Sequence, residues 1–225
     1  MSRVATRVAV ALAVALVGIG VIALLVNQSS APAGVAVQSP TAPVPGSGQL
    51  VRADSHVVGD PGDGSVVLVE FLDFECEACG AWYPAVETLR QRYDGQVRFV
   101  QRYFPLPGHT NAMNAALAVE AAAQQGAYEL MYGRMFQTQS EWGESQDSQA
   151  ALFRGFAQDL GLDLTAYDVV VGSPQTRERI ERDVEDGKAL GVQGTPTFFL
   201  NGELIQPSGI EEFTATIDRA LEASE

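Results

Sequence analysis

One junction limits what this chain can become. The run SVVLVEFLDF, residues 65–74, passes almost directly into Cys76-Glu77-Ala78-Cys79, which holds both cysteines of the chain. The run is β-branched and aromatic, follows the turn-rich GDPGDG, and reads as a buried strand. From Cys76 to about Tyr93 the period becomes helical, with Val86, Leu89 and Tyr93 at helical spacing and Pro84 inside to bend the helix. A strand that yields to a helix at a cysteine puts that sulfur against the helix's free N–H groups and positive dipole end. Such a place lowers a thiol pKa, and the same helix would bury Cys79 behind it.

The remaining segments fit around that unit. QVRFVQRYF, residues 96–104, is a second strand closed by PLPG. The alanine-rich NAMNAALAVEAAAQQGAYELMYGRMFQT reads as two helices broken near Gly126, and SQAALFRGFAQDLGL as another. SPQTRERIERDVEDGKALG is a further helix, with Ser173 as N-cap and Pro174 at its first position. TPTFFLNGELIQ returns to strand character around the hairpin dipeptide Asn201-Gly202. The closing helix lines up Ile210, Phe213, Ile217 and Leu221. This order predicts an α/β sheet with an inserted helical subdomain at about 108–190, in a domain spanning 50–225.

The N-terminus supplies an address. Residues 1–7 carry Arg3 and Arg7 and no acid, and residues 8–26 are uncharged throughout. Nineteen helical residues span about 28 Å, close to the hydrocarbon thickness of a bilayer. Flanking positive charge keeps 1–7 in the cytoplasm and sends the rest out. The length favours an uncleaved transmembrane signal anchor; the rival is a signal peptide cut near Ala31-Pro32-Ala33, leaving a secreted domain. Residues 27–49, with Pro32, Pro40, Pro43 and Pro45, read as a linker. Beyond residue 26 there are 28 acidic residues against 12 of the chain's 14 basic ones, since Arg3 and Arg7 precede it. So acidic a surface argues against nucleic acid as a partner.

An exported chain lives where disulfides persist. A bridge across so small a loop would stabilise little, which argues against a structural staple. Zinc wants four ligands, and beyond the cysteines only the separated His56 and His109 are on offer. Redox chemistry remains: a Cys76 thiolate attacks a disulfide, and Cys79 resolves the mixed disulfide.

These segments together resemble the thioredoxin-like superfamily, in particular its DsbA-like exported thiol–disulfide oxidoreductases of membrane-tethered bacterial type. EFLDFECEAC resembles the strand entering that family's active site. RYFPLPGHTNAMNAALAVEAA and MFQTQSEW resemble its helical insertion, and LGVQGTPTFFLNGE its cis-proline strand and hairpin. The resemblance implies that Pro196 is cis and lies against the cysteine pair; the residues alone leave cis and trans open. It implies that Thr195 and Pro196 shape a substrate groove, with the Thr195 backbone free to pair with an extended segment. It also implies that Glu70 moves protons to and from Cys79, a task that burial suits by raising a carboxyl pKa.

Glu75 and Glu77 flank the nucleophile and should weaken its thiolate by roughly 0.7 kcal/mol, half a pH unit, for a carboxylate about 6 Å away. The expected couple is therefore of intermediate potential. His109 is expected in a surface or capping role, with a place near the redox face as the alternative; Trp142 and Phe136 pack the insertion, and RERIERDVED forms a solvated helical face. The expected activity is extracytoplasmic disulfide exchange with exported proteins, donation favoured over reduction or isomerisation. A membrane partner would recycle the pair, the catalytic domain would be monomeric, and no cofactor is required. A peptide-binding module without catalysis is the alternative on the same fold; a peroxidase would want a differently spaced cysteine in a Thr/Pro/Cys motif.

Overall fold

The computed structural model describes residues 49–224. At its centre lies β2 (Val66–Leu72), buried along its whole length. β3 (Val97–Tyr103) runs parallel to it, from Val66 opposite Val97 to Leu72 opposite Tyr103. Parallel neighbours require a crossover, and α1 (Glu77–Arg92) provides it. β4 (Thr197–Leu200) pairs antiparallel on the other side of β2, and β5 (Glu203–Ile205) folds back on β4. β1 (His56–Val58) completes the sheet antiparallel to β3, giving the order β1-β3-β2-β4-β5.

The β4–β5 hairpin turns at Asn201 and Gly202, with φ of 50° and 91°, the positive values that a type I′ turn needs. Asn201 also ties the turn to β2. Its N–H donates to the Val67 carbonyl at 2.9 Å, and its Oδ1 accepts from the Val67 N–H at 2.8 Å. Between β3 and β4 lie α2 (Ala112–Ala123), α3 (Tyr128–Gln137), α4 (Gln139–Trp142), α5 (Ala150–Asp159), α6 (Leu164–Val171) and α7 (Pro174–Ala189). α8 (Ile210–Glu222) closes the chain with Phe213 and Ile217 fully buried. Gly126, at φ 74°, makes the break between α2 and α3. Ser173 caps α7 by accepting the Thr176 N–H.

Three elements escape the sequence pattern. β1 is a three-residue edge strand, and α4 is a single turn. α6 contains a valine run of weak helix propensity, yet Asp163 starts it by accepting from Thr165 and Ala166 N–H.

Alternation along β2 divides the core. Val67, Val69 and Phe71 pack with Val100, Phe104, Val192 and Phe199 on one face. Val66, Leu68 and Leu72 face the larger cluster with α1, α2, α3 and α8. α7 approaches the first face closely at Gly187, where an added Cβ would stand 2.7 Å from Phe104. The solvated reading of RERIERDVED holds for Arg177, Glu178, Glu181, Arg182 and Glu185, which are exposed, and fails for the side that meets the sheet. Arg179, Asp183 and Asp186 share one side of α7 and are buried. The reason is Arg102 on β3, whose fully buried guanidinium pairs with Asp183 at 2.7 Å and Asp186 at 2.6 Å and needs those counter-charges. Its Nη1 also donates to the carbonyls of Gln49 and Leu50, at 2.6 and 2.7 Å.

Among the described residues no helix is long and apolar enough to cross a membrane. The expected anchor at 8–26, and all of the expected linker except Gln49, lie outside the described residues.

Candidate active site

β2 ends at Leu72 and α1 begins at Glu77, so the four residues between them carry the redox turn. Cys76 is the N-cap residue of α1, in extended conformation. Its N–H donates to the Asp73 carbonyl at 3.2 Å, and its carbonyl accepts the Gly80 N–H at 3.1 Å. The sulfur therefore stands where the helix leaves N–H groups unused. Both cysteines are free thiols. The Cys76 pKa is drawn down to about 5. The main cause is the Cys79 thiol, which donates to the charged sulfur; burial opposes, and the Thr195 side chain and the N–H groups of Cys79 and Ala78 assist. Cys79 moves the other way, well above its ordinary value, through burial first, then Cys76 and the charge of Glu70. One thiol is set to ionise and the other to keep its proton.

Access is narrower than the sequence suggests. Cys76 is 6% exposed and Cys79 1%. The Thr195–Pro196 peptide is cis, and the Cys76 thiol donates to the Thr195 carbonyl at 3.3 Å. Two segments 119 residues apart thus meet at the nucleophile. Beside them Trp82, Pro196, Phe198, Leu204 and Ile205 line a cavity of about 200 Å³, and Leu204 is one of the exposed large apolar residues.

Glu70 lies on the same face of β2 as Leu68 and Leu72, and is 5% exposed. Burial pushes its carboxyl up to about 8, with the Glu87 charge adding and the Gln101 side chain and Arg90 opposing. Among the described residues its Oε2 and the facing Gln101 Nε2, both buried, find no hydrogen-bond partner.

The flanking acids behave differently from expectation. Glu75 turns inward, 1% exposed, and accepts the Asn111 N–H at the start of α2 at 2.6 Å. Glu77 is exposed, and its carboxyl is held below the usual range by neighbouring Glu144. His109 takes the alternative place, beside the redox turn and not in a surface or capping role: its Nδ1 lies 2.6 Å from Asp73 Oδ2. The Asp73 carboxylate, 2% exposed, also accepts the N–H groups of Glu75 and Leu106, each at 2.9 Å.

Gln139, at the start of α4, is a residue that sequence reasoning missed. Its Nε2 donates to the Phe74 carbonyl at 2.8 Å and the Cys76 carbonyl at 2.9 Å. Glycine at residue 80 leaves room for it; a Cβ there would lie 2.0 Å from Gln139 Oε1 and would displace the amide. Phe136 packs on Phe74 with ring centroids 5.3 Å apart, and Trp142 meets Phe153 edge-on at 4.8 Å. The insertion therefore clamps the redox turn from behind. Among the described residues no group of three or more His, Cys, Asp or Glu is arranged to hold a metal ion.

A thioredoxin family profile matches residues 52–219. A curated relative from Mycobacterium sp. (strain KMS), named Na(+)/H(+) antiporter NhaA 1, is 35% identical over 173 residues, 75% of this chain and 26% of its own. The chain thus spans about a quarter of the length of the curated relatives it matches. Among solved structures, a thioredoxin-like oxidoreductase from Silicibacter pomeroyi DSS-3 superposes with a TM-score of 0.64 at 28% identity, covering 76% of this chain and 94% of that one. The α-DsbA1 protein of Wolbachia pipientis gives 0.67 at 20% identity, over 78% and 94%. The profile runs from ahead of β1 into α8, and on that extent of agreement the chain belongs to the thioredoxin family, with the DsbA-like form of its fold.

Proposed function

We propose that this protein is an extracytoplasmic thiol–disulfide oxidoreductase that exchanges disulfides with exported proteins, and that donation is its main direction. The carrying observation is the opposed pair of thiols: Cys76 drawn down to about 5 at a helix N-terminus, and Cys79 pushed up behind it. Cys76 is the nucleophile and Cys79 the resolving thiol.

In donation the pair starts as a disulfide. A substrate thiolate attacks Cys76 Sγ, the Cys76–Cys79 bond breaks, and Cys79 leaves as a thiolate. Glu70, with a pKa of about 8, holds its proton at neutral pH and can give it to Cys79. A second substrate thiolate then attacks the substrate sulfur of the mixed disulfide and expels Cys76. A thiol with a pKa of about 5 is a good leaving group. The substrate dithiol is oxidised, and the pair gains two electrons and ends as thiolate and thiol. Reduction and isomerisation run the same steps from the reduced pair.

Thr195 and Pro196 shape the substrate groove. Once Cys76 is ionised or bonded to sulfur it no longer donates to the Thr195 carbonyl, which is then free for an extended substrate backbone. The cavity beside Pro196, lined by Trp82, Phe198 and Leu204 together with Thr197 and Gln206, offers a substrate side chain both apolar and polar contacts. The run at 8–26 supports a single-pass anchor with the domain outside the membrane. The curated relatives, far longer proteins named as antiporters, support a domain held at a membrane. A membrane partner would then reoxidise the pair.

The test is thiol alkylation in cells. A donor keeps Cys76 and Cys79 mainly oxidised, and Cys79→Ala accumulates mixed disulfides that Cys76→Ala does not. A pair found mainly reduced overturns donation in favour of reduction or isomerisation. Full phenotype in Cys76→Ala would point to a peptide-binding module instead.

A further inference from the structure

The turn between the two cysteines contains Glu77 and Ala78, so it brings no cation to the nucleophile. The chain has two histidines, and one of them, His109, comes from the loop after β3 to the redox turn. Asp73 brings it there. One carboxylate oxygen meets His109 Nδ1 at 2.6 Å, and the other accepts the Glu75 N–H. The Asp73 carbonyl accepts the N–H of Cys76 itself. A single buried residue thus holds both the imidazole and the nucleophile's backbone. A buried carboxylate in contact with a ring nitrogen favours the protonated ring.

The charges around the ring are Asp73, Glu75 and Cys76 on the redox turn, Glu77 on α1 and Glu144 on the loop after α4. All five are anionic when ionised, so His109 is the positive member of an acidic ring.

We infer that protonated His109, gripped by Asp73, is the positioning residue that favours the thiolate of Cys76 and raises the oxidising power of the pair from outside the CxxC turn. The inference rests on the exchange reading above. Its physics is reciprocal: a thiolate that gains from the imidazolium must stabilise the imidazolium equally. Below the His109 pKa the ring is charged and favours the thiolate; above it that support is lost.

Two measurements on the purified full-length chain test this. The first needs no substitution. NMR titration of the His109 ring in oxidised and reduced protein should place its midpoint about half a pH unit higher in the reduced form, which alone carries the thiolate. The second follows iodoacetamide alkylation against pH. His109→Gln keeps a donor for Asp73 but loses the charge, and should raise the Cys76 midpoint by about half a unit. That is a roughly threefold loss of thiolate stability, near 15 mV in a two-electron couple. His109→Lys should keep the midpoint low. Equal His109 midpoints in the two redox states would overturn the proposal, as would Gln and Lys variants that behave alike. Turnover of a model dithiol is followed alongside. No turnover in the wild type refutes the exchange activity, whereas turnover with unmoved midpoints refutes only the role of His109.

Discussion

Replacing Glu70 by glutamine tests the buried acid without changing its shape. The folded carboxyl ionises at about 8, against an ordinary value of 4.5. Below pH 4.5 the group is neutral in both folded and unfolded chains, and its ionisation costs nothing. Between 4.5 and 8 the unfolded chain ionises while the folded one holds its proton, so stability falls as pH rises. At about 1.4 kcal/mol per pH unit, the loss reaches about 3 kcal/mol at pH 7 and levels near 5 kcal/mol above pH 8. The amide of Glu70→Gln has no such proton to lose, so the variant should match the wild type at pH 4.5 and exceed it by those amounts at pH 7 and 9. Guanidinium unfolding of the oxidised chain, followed by tryptophan fluorescence, measures this with no thiols titrating. A difference that stays flat from pH 4.5 to 9 would show that Glu70 ionises like a solvated acid, and its assignment as proton donor to Cys79 would fall with it. Glu70→Gln should also slow the steps in which Cys79 gains or loses a proton, while leaving alkylation of Cys76 largely intact.

The redox couple should lie between those of thioredoxin and DsbA, about −270 and −120 mV, because a Cys76 pKa of about 5 lies between their nucleophiles' values of about 7 and 3.5. Equilibration with glutathione buffers measures it, and a value outside that interval contradicts the derivation. Gln139→Ala removes the donor shared by the Phe74 and Cys76 carbonyls and should cost about 1–2 kcal/mol in chemical denaturation. Gly80→Ala should also displace Gln139, with about 1 kcal/mol of helix propensity offsetting the loss, so in a Gln139→Ala background it should show only that gain; a further loss there would rule out the clamp. Gly187→Ala forces a Cβ to within 2.7 Å of Phe104 and should lose about 1–3 kcal/mol, with wild-type stability counting against so close a packing of α7 on the sheet.

Local pattern carried the frame. The apolar run into Cys76, the Asn201-Gly202 turn and the amphipathic closing helix each declare themselves within ten or fifteen residues, and each stands where that pattern puts it. Glu70 is legible too, because period two along β2 sets it on the inner face with Leu68 and Leu72. What stayed hidden was pairwise and distant. Asp73 meets His109 across 36 residues, Gln139 meets Cys76 across 63, and Arg102 meets Asp183 across 81. No periodicity encodes such partners. Asp73 did offer a signal, an acid set directly between Leu72 and Phe74 at the end of the buried run. A carboxylate at the end of a buried strand needs donors, but the sequence pattern does not name them.

Arg102 also decides where an autonomous unit can begin. A polypeptide shortened to start at residue 52, where the family profile begins, would retain all five strands and eight helices described above. Yet it would lack the Gln49 and Leu50 carbonyls and leave two N–H groups of the Arg102 guanidinium without their acceptors. Stranded donors of that kind cost about 1–3 kcal/mol each. The practical boundary for an excised domain therefore lies no later than Gln49, fixed by hydrogen-bond completeness at one cation and not by the first strand.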